Sequence, residues 1–219
     1  MALAPRPNAV RTYEAATIGF PLPLKAGESR INPGDKTMTN KQPEENKPQT
    51  TPGYEFYIMR HGIAVARGPA SVLDDAKRPL TPEGKQKMRE IAAGLVRIGM
   101  EVDWILSSPL VRAVETAEIV GETLGSKPPL EFSDALRPGG SAEALITFLS
   151  KRPNRRRVLV VGHEPDMGEL AARLIGAGRT ANFAFKKGGC CLITFPEFPP
   201  KSPGRLMWWL TPRLMKKLA

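Results

Sequence analysis

Histidine and cysteine are scarce in this chain: two of each in 219 residues. A structural metal site wants more Cys and His ligands at wider spacing, and Cys190 and Cys191 are neighbours, so no metal is expected on them. A disulfide between adjacent residues closes a small strained ring, so the pair reads as two thiols on one strand in a reducing, cytoplasmic setting. Long apolar runs are also missing. Nothing reaches the roughly 18 residues of a spanning helix, and no membrane partner is expected. The N-terminus has no continuous apolar segment of the kind a secretory signal needs, and Glu14, Glu28 and Asp35 argue against an organelle transit peptide. Acidic residues are outnumbered, 22 against 32 basic ones, leaving a formal charge of +10. That surplus favours an anionic partner: phosphorylated protein, nucleotide, nucleic acid or anionic lipid. The aromatics fall mainly in apparent strands rather than among the basic runs, and no nucleic-acid motif is present, so nucleic acid is not expected.

What is there divides into two parts. Residues 1–53 hold "NPGDKTMTNKQPEENKPQTTPG" (Asn32 to Gly53), rich in Pro, Asn, Lys, Glu and Thr and almost without apolar residues. Such a stretch cannot bury a core and reads as a disordered extension. Met38 is an alternative start; a tail with a docking role is the other reading.

From Tyr54 to Ala219 the pattern is that of one α/β domain. "YEFYIM" is a strand. "LTPEGKQKMREIAAGLVRIG" opens on Thr81 as N-cap with Pro82 at the first helical position, and Met88, Ile91, Ala92, Leu95 and Ile98 follow helical spacing. "VDWILSSP" is a strand, and Ser108-Pro109 starts a helix with Val111, Val114, Ala117, Val120 and Leu124 inward. A helix capped by Ser141 runs to Arg152. "RVLVVG" is apolar enough for the centre of a parallel sheet. "DMGELAARLIGAG" is a further helix, and "GCCLITF" and "RLMWWLTP" are strands that can form a hairpin. The alternation predicts a single domain with a mostly parallel central sheet and helices on both faces, three layers in all.

Three polar clusters then fall at equivalent places. Arg60-His61-Gly62 follows the first strand, Ser107-Ser108-Pro109 with Arg112 the second, and Gly162-His163-Glu164 the central one. Ligands of open parallel sheets bind at the carboxyl ends of the strands, where helix N-termini favour anions. Both histidines of the chain end strands there, and with Arg60 and Arg112 they describe a dianion site, most simply for a phosphoryl group.

On "YIMRHG", "RPLTPEGKQ", "ILSSPLVRAVETAEIV" and "VLVVGHEP", in that order, the chain from about residue 54 onward resembles the histidine phosphatase superfamily. "VVGHEPDMGELAARL" and the closing "WWLTPRLMKK" make it most similar to the SixA-type phosphohistidine phosphatases. The resemblance implies a phosphoglycerate mutase-like fold and a metal-independent, cofactor-free phosphatase. It implies His61 as nucleophile, with Arg60, Arg112 and His163 binding the phosphoryl oxygens. Each role is chemically sensible: covalent catalysis divides one hard displacement into two easier ones, and guanidinium groups stabilise charge spreading onto equatorial oxygens. Many relatives use a glutamate to protonate the leaving oxygen. Here "FSDALRPGGS" offers Asp134 as the possible general acid, with a solvated loop carboxylate as the alternative. The expected substrate is a phosphohistidine-containing protein of a signalling or phosphotransfer system. A small-molecule monoesterase and a non-catalytic phosphoprotein-binding module are the rivals. The basic runs "KRPNRRR" and "PRLMKKLA" read by default as solvated faces, with phosphoprotein docking as a further use.

Overall fold

The structure is a computed structural model and describes residues 53–66, 75–178 and 183–219. The expectation of a disordered extension therefore lies outside the described residues, Gly53 apart.

Four strands run parallel: β1 (Tyr54–Arg60), β2 (Trp104–Ser107), β3 (Leu130–Phe132) and β4 (Arg157–Gly162). β5 (Cys190–Phe195) lies antiparallel to β1, and β6 (Arg205–Leu210) antiparallel to β5. The order across the sheet is β3-β2-β4-β1-β5-β6, so β1 and β4 occupy the middle. Their register pairs Tyr57 with Leu159 and Arg60 with Gly162, which brings the ends of both strands, and the residues after them, side by side.

Side-chain alternation assigns the two faces. Tyr57, Met59, Ile105, Leu159 and Val161 pack under the helices α1 (Pro82–Arg97), α2 (Val111–Thr123) and α5 (Pro212–Leu218), through Met88, Leu95, Ala117, Val120 and Met215. Phe56, Ile58, Trp104, Leu106 and Val160 face α3 (Ala142–Ser150) and α4 (Asp166–Leu174) through Leu145, Leu149, Leu170 and Leu174. The result is the expected three-layer fold with a mostly parallel sheet. The adjacent cysteines follow the same rule: Cys190 joins the first cluster and Cys191 the second, and both are free and buried.

The local signals for α1 and α3 hold. Thr81 Oγ1 accepts from Gly84 N at 2.9 Å with Pro82 at the helix start, and Ser141 Oγ accepts from Ala144 N at 3.2 Å. Three expectations need correcting. α2 begins at Val111, beyond Ser108-Pro109, and has no side-chain cap, because Leu110 stands at the N-cap position and its apolar side chain offers no acceptor. Its buried face carries Arg112, Ala113, Thr116, Ala117, Ile119 and Val120, while Val111 and Val114 are half-buried. The helix is turned so that Arg112 and Thr116 reach the end of β1. Finally, "PRLMKKLA" is more than a solvated face: it forms α5, with Met215 buried against α1.

Candidate active site

The strand ends converge as the topology requires. His61 follows β1, His163 follows β4, and Ser108 follows β2; all three are buried, as is Arg112. Backbone hydrogen bonds tie these segments together: His61 N donates to Gly162 O at 3.1 Å, and Ser108 N to Val161 O at 2.9 Å. The two imidazole rings lie 5.1 Å apart between centroids.

His61 has a defined tautomer. Its Nδ1 lies 2.7 Å from Gly62 O, an atom that can only accept, so the ring proton is on Nδ1. Nε2 therefore carries the lone pair, and Arg112 Nε donates toward it at 3.3 Å. Burial, reinforced by His163, Arg112 and Arg60, holds the His61 pKa down at about 3, against the backbone hydrogen bond that raises it. At neutral pH the ring is uncharged, the form a nitrogen nucleophile needs.

Arg112 is fixed on three sides. Besides His61, its terminal nitrogens donate to Asp75 O at 2.7 Å and to Asp75 Oδ2 at 3.1 Å. Asp75 lies in a single 3-10 turn, Asp75–Lys77, and its carboxylate also pairs with Arg78 at 2.8 Å. Thr116, one helical turn beyond Arg112, accepts from Gly62 N at 3.0 Å and donates to Arg112 O at 2.6 Å. One hydroxyl thus couples the loop after β1 to α2.

His163 Nε2 lies 2.8 Å from Ser108 Oγ. That oxygen also accepts from Leu110 N at 3.4 Å. His163 Nδ1 is buried and has no hydrogen-bond partner, as does Arg60 Nε. Arg60 Nε is a donor, and an unpaired buried donor costs about 1–3 kcal/mol unless something accepts from it, so its place near His61 favours an anion. Burial, then Arg112, lowers the His163 pKa to about 4. Arg60 extends from the end of β1 and donates from a terminal nitrogen to Phe185 O at 2.7 Å, while Glu164 accepts from Phe185 N at 2.8 Å. Burial raises the Glu164 pKa above its ordinary value.

Arg60, His61, Arg112 and His163 therefore meet in one place. Asp134 is different. It opens a 3-10 turn after β3, its side chain is 82% exposed, and its carboxylate pairs with Arg137 at 2.5 Å. Sequence reasoning gave no part to Asp75 or Thr116, and it placed Ser108 and Glu164 in the polar clusters at the strand ends without a role for either. Thr116 had a signal, the four-residue spacing from Arg112, and Glu164 adjoins His163. Asp75 had none, since it reaches Arg112 across 37 residues. No group of three or more His, Cys, Asp or Glu suited to a metal ion occurs among the described residues.

The model of the histidine phosphatase superfamily (branch 1) matches residues 56–138. The phosphohistidine phosphatase SixA of Escherichia coli is 30% identical over 164 residues, covering 74% of this chain and 96% of that protein. The chain belongs to the histidine phosphatase superfamily, and it is a phosphatase. Within the superfamily its likeness is to the SixA group. The structure of the protein histidine phosphatase SixA complexed with tungstate matches with a TM-score of 0.63 and 28% identity, over 74% of this chain and 99% of that one. An uncharacterized protein of Picosynechococcus sp. is 39% identical over 140 residues, covering 62% of this chain and 81% of the other.

Proposed function

We propose that the protein removes the phosphoryl group from a phosphorylated histidine of another protein, through a phosphohistidine formed on His61. The observation that carries this reading is the His61 ring: neutral, with Nδ1 committed to Gly62 O and the Nε2 lone pair beside Arg112. Nε2 attacks phosphorus, the bond from phosphorus to the substrate nitrogen breaks, and its electron pair stays on that nitrogen. Water then attacks the phosphorus on His61, releasing inorganic phosphate and restoring the imidazole. Arg60, Arg112 and His163 hold the equatorial oxygens as charge spreads over them.

The relative's name, phosphohistidine phosphatase, supports this choice of substrate, and so does proton demand. An alkoxide is a strongly basic leaving group whose departure calls for a positioned acid, worth roughly 10²–10⁴ in rate. A phosphorylated imidazole takes its proton from water and leaves as neutral histidine. The exposed, Arg137-paired Asp134 suits the second case better than the first. The test is phosphate release from a phosphohistidine protein against a panel of sugar phosphates, with wild type and His61→Ala. Faster turnover of phosphohistidine, abolished in His61→Ala, and acid-labile, base-stable phosphate trapped on wild type are expected. Faster turnover of a sugar phosphate, or turnover surviving in His61→Ala, overturns the reading.

A further inference from the structure

A groove of about 490 Å³ runs from the loop after β1 down the face between α1 and α5. Met88, Ile91 and Pro212 line it as apolar walls, and Lys187, Arg213 and Lys217 stand on it as cations. Among the described residues, no acidic side chain lines it. The groove is also tied to the nucleophile. Gly188 N donates to both Arg60 O and His61 O, at 3.0 and 3.1 Å, and a Cβ on Gly188 would come 2.9 Å from Ile91 and 3.0 Å from Met88. The turn that props up the catalytic strand end thus rests on the groove's own side chains.

The neighbouring charges are unevenly neutralised. Lys87 pairs with Glu83 and Lys216 with Glu90, whereas Lys187, Arg213 and Lys217 are exposed and have no ion-pair partner among the described residues. The other basic run is used differently. Arg152 pairs with Glu131 and lies over the rings of Trp104 and Phe148, Arg155 donates to Asp103 O, and Arg157 pairs with Glu101. It also precedes β4, at the opposite edge of the sheet from the site. Unspent positive charge therefore borders the site along the groove.

We propose that the α1/α5 groove docks an acidic segment of the phosphorylated protein, one apolar side chain entering between Met88, Ile91 and Pro212 while carboxylates meet Lys187, Arg213 and Lys217. The assignment rests on the phosphohistidine-protein reading above and adds to it the surface that selects the substrate. Charge on such a rim acts mainly on encounter and on salt dependence. A groove leading away from the site lets a second contact strengthen binding without touching the reacting atoms.

The test uses two phosphohistidine peptides, one flanked by glutamates and a leucine, the other by serines, with phosphoramidate as the small substrate. Wild type is expected to prefer the acidic peptide by about tenfold in kcat/KM at low salt, and to lose the preference at high salt. Arg213→Glu with Lys217→Glu should abolish the preference and leave phosphoramidate hydrolysis unchanged. Lys187→Glu alone, a milder change, should reduce it. Equal kcat/KM for both peptides in wild type, or a preference that survives the substitutions, overturns the proposal. If wild type cleaves neither phosphopeptide, the substrate reading fails by itself. The docking surface is then judged by fluorescence anisotropy of the unphosphorylated acidic peptide, whose binding must weaken in the variants. Tighter binding of a single-stranded RNA or of anionic phospholipid vesicles than of that peptide also overturns it.

Discussion

Arg112 Nε donates to His61 Nε2 at 3.3 Å while Asp75 takes both terminal nitrogens of the same guanidinium. The arginine is held from behind and presents its inner edge to the nitrogen lone pair. A lysine has neither the planar fork nor the reach to make these three contacts together. Arg112→Lys should lower kcat/KM by about 10²–10³, as for loss of one donor to a developing oxyanion. Asp75→Ala should cost about tenfold, roughly 1.4 kcal/mol of lost orientation, and Asp75→Asn less, because its amide oxygen still accepts. Steady-state kinetics on one phosphohistidine substrate, with melting curves as controls, gives the order of the three.

Thr116→Val keeps the shape of the side chain and deletes its hydroxyl. Gly62 N then loses its acceptor inside the protein, which should lower stability by about 1–3 kcal/mol. Because that hydrogen bond fixes the loop carrying His61, kcat/KM should fall as well. Urea unfolding together with kinetics checks both effects, and an unchanged unfolding midpoint would refute the link.

Acid should weaken the fold through its two imidazoles. The native pKa values, about 3 for His61 and about 4 for His163, lie below the ordinary 6.5. Between these values the unfolded chain binds protons that the native state does not, so stability is fully present above the unfolded pKa and declines as pH falls. Each ring contributes a slope of up to about 1.4 kcal/mol per pH unit. Urea midpoints across that range should drop less steeply in a His61→Gln, His163→Gln double variant. Equal slopes would count against burial as the cause.

Asp134→Asn should change phosphohistidine turnover by less than about twofold, since an exposed ion pair contributes little. Any residual alkyl monoesterase activity should fall more. A loss of about 10² or greater on phosphohistidine would make Asp134 the general acid. Measuring kcat/KM on both substrates separates the two.

Much of this arrangement could be read before the structure because it is local. A strand ending in Arg60-His61-Gly62, the Thr81 cap with Pro82, and the apolar run before His163 each declare themselves within a few residues. β3 does not: Leu130–Phe132 is three residues long and only partly buried, so it carries no alternation to detect. The orientation of α2 escaped for another reason. Its apolar residues fit two overlapping faces, and the choice is made by Thr116 and Arg112 reaching His61 and Gly62, contacts set by the sheet order. Asp75 is the extreme case, joined to Arg112 only through tertiary structure.

The neighbouring thiols of Cys190 and Cys191 look into different halves of the core, one toward α1, α2 and α5, the other toward α3 and α4. Native protein should therefore shield both from an aqueous thiol reagent, burial also pushing both thiol pKa values up. Two single Cys→Ala variants would each leave one reporter, separated from the other by one peptide bond along the chain yet sensing a different helical layer. Comparing their labelling rates in mild denaturant would show whether the two layers peel from the sheet together or one at a time.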